Sequence, residues 1–101
     1  MNVDINRISA ALANPSRLSI LRWLKAPADH FPPQIHADID AVGVCGTFFA
    51  DKLGVVPATA SAHLRILVDA GLIGSTRIGK WTYFKRNDDA LLAYSAALAK
   101  L

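Results

Sequence analysis

The sequence predicts a mainly α fold carrying one small β-hairpin, an α+β arrangement, and three observations lead there. Apolar residues recur at helical spacing in five segments, four of them bounded by Asn, Pro or Gly where helices begin or end. Two β-branched and aromatic runs, Ile73 to Ile78 and Trp81 to Arg86, are separated only by Gly79-Lys80. A composition of 52% hydrophobic and 19% charged residues suits a packed globule and excludes a disordered chain. At 101 residues there is room for one core, so residues 1–101 are read as a single domain.

In the first segment, Val3 to Ala13, residues Ile5, Ile8 and Leu12 share one face, so a short amphipathic helix is expected that would be marginal alone. Asn14-Pro15 supplies an N-cap followed by proline at the first helical position, where its missing N–H is not needed. The second helix then runs to about Lys25 and buries Leu18, Leu21 and Leu24, with Ile20 and Trp23 widening the face. From Pro27 to Val44 no period survives, and three prolines, His30, His36 and the aspartates mark an irregular excursion. Gly46-Thr47 opens a short helix from Phe48 to Leu53 that Gly54 ends, and Val55-Val56 forms a tight turn.

Pro57 starts a longer helix that Gly71 stops. Ala60, Leu64, Leu67 and Val68 form its inner stripe, whereas Thr59, Ala62, Arg65 and Asp69 look outward with Ser61 and His63 on the flanks. A merely solvated face would carry Glu and Lys pairs instead. The hairpin follows, its Gly-first connection suited to a type II′ turn and its tip basic through Arg77 and Lys80. Asn87 caps a last helix with Asp88 and Asp89 in its first turn, rich in alanine and apolar throughout.

A short helix, a tight turn and a second helix with small polar residues outward make a helix-turn-helix, whose second helix enters the major groove of DNA. The hairpin beside it makes this a winged helix-turn-helix, with the wing against the phosphate strand or the minor groove. The residues expected at DNA are therefore Thr59, Ser61, Ala62, His63 and Arg65 on the helix, and Arg77 and Lys80 on the wing. The net charge of +3 decides little by itself, but five cations fall between Arg65 and Arg86, a clustered footprint that favours a polyanion.

The runs Asn14-Pro15-Ser16-Arg17-Leu18, Phe49-Ala50-Asp51-Lys52-Leu53-Gly54, Ser61-Ala62-His63-Leu64-Arg65-Ile66-Leu67, Ala70-Gly71-Leu72 and Arg77-Ile78-Gly79-Lys80-Trp81-Thr82-Tyr83 together resemble the ArsR/SmtB family. The resemblance spans nearly the whole chain except the excursion from Pro27 to Val42. It implies a homodimeric prokaryotic repressor that binds an inverted repeat and is released by an inducer. The dimer would form through the first and last helices, here Ile5, Ile8 and Leu12 with Leu91, Tyr94 and Leu98. Neither helix is expected to be satisfied within so small a core.

The family's metal-sensing patterns are missing. Arsenic-type members resembling this chain pair cysteines near the short helix, where only Cys45 stands, and one thiolate does not make a soft-metal site. Zinc-type members use His and carboxylates on the last helix, which holds no His or Glu here. His30, His36, Asp38 and Asp40 match no ligand spacing and read as solvated loop residues, and Cys45 reads as a small buried apolar residue. No cofactor or metal is expected, and the effector, small-molecule or redox, is left open. Nucleophile-base spacing and a glycine-rich phosphate cradle are both lacking, which argues against an enzyme. The competing readings are a winged helix that binds protein instead of DNA, and a metal-responsive repressor using the loop. With no signal-peptide pattern and no apolar run of membrane-spanning length, the expected location is the cytoplasm, at the bacterial nucleoid.

Overall fold

The structure, a computed structural model, describes residues 2–101. Along them run α1 (Ile5–Leu12), α2 (Pro15–Lys25), a 3₁₀ turn (Pro27–Asp29), β1 (Val44–Cys45), α3 (Thr47–Leu53), α4 (Pro57–Asp69), β2 (Ile73–Ile78), β3 (Trp81–Arg86) and α5 (Asp88–Ala99). Local chemistry sets most of these boundaries. Asn14 Oδ1 accepts from the Arg17 N–H at 3.1 Å and Asn87 Oδ1 from the Ala90 N–H at 3.2 Å, so each asparagine satisfies a donor that its helix leaves free. Asp4 does the same for Arg7 at 3.0 Å, which starts α1 two residues later than the apolar spacing suggests. Gly79 has φ +60 and Lys80 does not leave the negative-φ region, the pattern of the expected II′ connection.

The hairpin pairs Ile78 with Trp81 and Ile73 with Arg86, as the two runs predict. It is two strands of a three-stranded antiparallel sheet in the order β1-β3-β2, with Val44 opposite Phe84 and Cys45 opposite Tyr83. The third strand lies in what the sequence reads as the end of a loop, because two residues show no alternation. Gly43 makes this strand's approach workable: its φ is +117, and a Cβ there would collide with the Phe84 carbonyl. Gly43→Ala is expected to lower stability by about 2–4 kcal/mol in urea unfolding, combining positive-φ strain with backbone overpacking.

Ile20, Phe49, Leu67, Leu72 and Val44 are the largest fully buried side chains. An aromatic line crosses this core: Trp23 meets Phe31 edge-on at 6.1 Å, Phe31 meets Phe49 at 5.1 Å, and Phe49 meets Phe84 at 6.0 Å. Phe31 thus anchors the start of the 27–44 excursion, so the segment is not wholly solvated. Arg17 joins three helices by donating from Nε to the Ala11 carbonyl at 2.6 Å and from Nη2 to the Ala10 carbonyl at 3.3 Å, with Nη1 3.2 Å from His63 Nδ1. No helix among the described residues is long and apolar enough to cross a membrane.

One expectation needs correction here. Ile8, placed at a subunit interface by its spacing, is only 6% exposed and belongs to the chain's own core. The α1 stripe turns inward because α5 already packs beside it, with Ser9 Oγ 2.7 Å from the Tyr94 hydroxyl.

Candidate nucleic-acid interface

Helix α4 is positioned from below by Ala60, Leu64 and Leu67, all buried against the core. That stripe turns the opposite side outward, and Thr59, Ser61, Ala62 and Arg65 are exposed. Small residues at Ala58, Ser61 and Ala62 leave the helix backbone close to the surface, where a groove edge can reach it. Pro57, which has no N–H, begins the helix without a side-chain cap, and the Thr59 and Ala60 N–H groups donate to the Val56 carbonyl at 3.0 and 3.2 Å. Antiparallel β2 and β3 then carry the wing up alongside it.

Between helix and wing lies an open groove of about 970 Å³. Ala58, Ser61, Ala62 and Arg65 line one wall, with Asp69 at its C-terminal end, and Lys80, Trp81 and Thr82 line the other. Lys80 Nζ stands 5.1 Å from the Trp81 ring centroid, a cation–π contact that holds the cation near the groove. Arg77 is exposed at the tip with its Nε donating to the Gly79 carbonyl at 3.1 Å.

The structure therefore gathers Ser61, Ala62, Arg65 and Lys80 around one groove. Thr59 is exposed on the same helix without lining that groove, and Arg77 reaches past it at the wing tip. His63 departs from the sequence expectation: it is half-buried and faces Arg17, because positions 60, 63, 64 and 67 share the inner side of the helix. The cation cluster also divides. Arg86 turns into the fold, donating to the Leu21 carbonyl at 3.0 Å and to Asp88 at 2.7 Å, and Lys85 reaches the Ala41 carbonyl at 3.4 Å. Those two are fold contacts; Arg65, Arg77 and Lys80 stay free to meet phosphate. Lys85 and Arg86 lie at the far end of β3 from the tip, and the carbonyls they meet belong to segments 44 and 65 residues away in sequence.

A second surface belongs to α5. Leu91 and Tyr94 are half-buried against the chain's own core, as is Leu12 of α1, whereas Leu98 is 40% exposed and Leu92 69% exposed. Ile5 is half-buried at the start of α1. Leu92 was missed from sequence because α5 is apolar on every side, so no stripe singles out its free face. Leu12, Leu18, Leu91 and Leu98 also line a groove of about 400 Å³ between α1, α2 and α5.

Elsewhere, His30, His36, Asp38 and Asp40 are all exposed, and Asp38 accepts from the Ala41 N–H at 2.8 Å. Among the described residues no three His, Cys, Asp or Glu side chains come together as a metal site would require. Cys45 is buried, with Sγ 3.1 Å from Thr47 Oγ1.

No protein-family model matches the sequence. It is 51% identical over 81 residues to the uncharacterized HTH-type transcriptional regulator YbzH of Bacillus subtilis (strain 168), covering 80% of this chain and 81% of that protein. Its fold is similar to an ArsR-like transcriptional regulator from Rhodococcus sp. RHA1, with a TM-score of 0.69 at 22% identity over 95% of this chain and 76% of that one. A further similar structure is the homodimeric winged helix-turn-helix DNA-binding domain of a possible ArsR-family transcriptional regulator from Mycobacterium bovis. There the TM-score is 0.64 at 27% identity, over 94% of this chain and 75% of that one.

Proposed function

Because this chain belongs to the HTH-type transcriptional regulators, on the winged-helix fold of the ArsR family, we propose that it is a repressor that binds an inverted-repeat operator in double-stranded DNA as a homodimer and that an effector releases. The observation that carries this reading is the groove between α4 and the wing, where exposed Ser61, Ala62 and Arg65 face Lys80 across a gap open to solvent. Residues 1–101 act as one DNA-binding domain. Ser61, Ala62 and Thr59 meet base edges or thymine methyl groups, and Arg65, Arg77 and Lys80 neutralise phosphates. His63 sets the pitch of α4 through Arg17 and reaches DNA only at the edge.

Dimerisation through α5 is supported by a physical mismatch. A helix that is apolar all round belongs in an interior, yet Leu92 and Leu98 stand in water in the isolated chain. The two-fold relation would set two α4 helices about 34 Å apart, one turn of B-DNA, and so requires an inverted repeat. Ile5 and Leu12 contribute the rim of that interface, and Leu91 and Tyr94 support it from beneath.

Genomic fragments retained by the purified protein at moderate salt should share an inverted repeat when sequenced. Their binding constant should fall with salt at a log–log slope of about −0.9 per phosphate contact. Retention of no fragment, or a flat salt response, would favour a winged helix that binds protein.

A further inference from the structure

Beneath the 27–44 excursion, on the side of Trp81 and Tyr83, lies a further open cavity of about 220 Å³. Pro33 and Ile35 form its loop wall, Phe48 its helical wall, and Trp81 and Tyr83 its floor on β3. We propose that this cavity is the effector site and that it takes a neutral aromatic molecule of one to two rings carrying a hydrogen-bond acceptor. The regulatory half of this proposal rests on the DNA-binding reading above.

Tyr83 decides the polar requirement. The residue is only 2% exposed, yet its hydroxyl has no partner among the described residues, unlike that of Tyr94, which meets Ser9. Among the described residues no fully enclosed side-chain oxygen lacks a partner, so the Tyr83 oxygen is not sealed off. The cavity it lines is where that oxygen opens. Through that opening the hydroxyl can meet water, and a ligand acceptor would take the water's place.

Size and lining decide the rest. A dry cavity of about 150 Å³ accommodates one benzene ring, so this volume suits one ring with a substituent or two fused rings. The walls carry no Lys, Arg, Asp or Glu, and His36 stands exposed among them as the one imidazole, which disfavours a strongly charged ligand, and Gln34 is already committed on both ends of its amide. Its Oε1 accepts from the Cys45 N–H at 3.2 Å and its Nε2 donates to the Ala37 carbonyl at 3.0 Å. Ile35, 93% exposed at the mouth, is an apolar side chain that a bound ring would cover.

Coupling follows from shared walls. Cys45, Thr47 and Trp81 line both this cavity and the groove beside α4. Trp81 also carries Lys80 on its ring, so a ligand that tilts the indole moves a phosphate-binding cation. Occupancy is therefore expected to weaken DNA binding, as a ligand must when it favours the state with the displaced wing.

The test uses acetophenone as probe, with cumene as a probe of the same heavy-atom count without the acceptor. In protein labelled with ¹⁵N at tryptophan and free of DNA, acetophenone should shift the Trp81 indole resonance and leave Trp23 in place. A dissociation constant of about 1 mM is the scale for so few atoms. Tyr83→Phe, which preserves the ring, should weaken acetophenone about tenfold, the effect of losing one hydrogen-bond partner, and cumene should bind the original protein as weakly. No Trp81 shift at about ten times the expected dissociation constant overturns the site. Equal binding of both probes, or an unaffected Tyr83→Phe, overturns the role of the phenol. In a separate arm, saturating acetophenone should reduce operator affinity at least fivefold, an allosteric effect at the low end of the usual range, and Tyr83→Phe should blunt this. An unchanged affinity overturns the regulatory half, whereas a protein that binds no DNA without probe defeats the DNA-binding reading and leaves the titration to judge the cavity.

Discussion

Alanine at Arg65, Arg77 and Lys80 together is expected to weaken operator binding about a thousandfold at low salt and to make what remains nearly insensitive to salt. In a symmetric dimer the triple substitution removes six cations from the DNA face. Each phosphate contact contributes about 0.9 to the salt slope, so a loss of about 5 in slope is expected. A protein with that many contacts loses about a thousandfold or more in affinity between roughly 50 and 200 mM salt, and the variant should lose almost none. Arg65 and Lys80 are exposed, and Arg77 touches only the carbonyl of Gly79, so the fold should keep its stability to within about 0.5 kcal/mol. Fluorescence anisotropy with a labelled operator at several salt concentrations reads both quantities. Unchanged affinity with unchanged slope would mean that the groove between α4 and the wing faces something other than a duplex.

The cations also show where sequence spacing runs out. Positions 65 to 86 concentrate five basic residues, but spacing along a chain does not say which way an end residue turns. Arg86 lies at the root of β3, opposite Ile73, and there its guanidinium also donates to the Leu21 carbonyl of α2, 65 residues away in sequence. His63 is drawn inward in the same manner by Arg17, which is 46 residues away. Contacts of that range follow from tertiary packing, to which a local pattern is blind.

Local chemistry, by contrast, was readable. Asn14 and Asn87 cap as their residue type and place suggest, α2 spans Pro15–Lys25, and both hairpin strands have the bounds of their β-branched and aromatic runs. Each depends on neighbours within four residues or on a two-residue turn. The strand Val44–Cys45 and the buried Phe31 were hidden because a short strand and a lone anchor have no period. Ile8 misled for a related reason: an apolar stripe says that a face is covered without saying by what, and here α1's stripe is covered largely by the chain itself.

The same ambiguity, read in the other direction, leads to the second large effect. Leu92→Asp is expected to convert a dimer into a monomer of 10.9 kDa and to abolish tight operator binding. At 69% exposure Leu92 contributes little to the subunit's own core, so helix content and the two-state unfolding of the monomer should survive. In a two-fold interface the substitution occurs twice, and each carboxylate would enter an apolar contact without a cation from α5 itself, which holds no Lys or Arg from Asp88 to Ala99. The alternatives are ionised burial, which is prohibitive, or separation. A monomer still presents α4 and the wing, but it engages one half-site and forfeits the high local concentration that the second half-site gives, about a hundredfold or more in affinity. Sedimentation would report the mass, and anisotropy on full and half operators would report the binding. If Leu92→Asp sediments at twice the subunit mass and prefers the full operator as before, the α5 face is not where the subunits meet, and its exposed leucines must serve another partner.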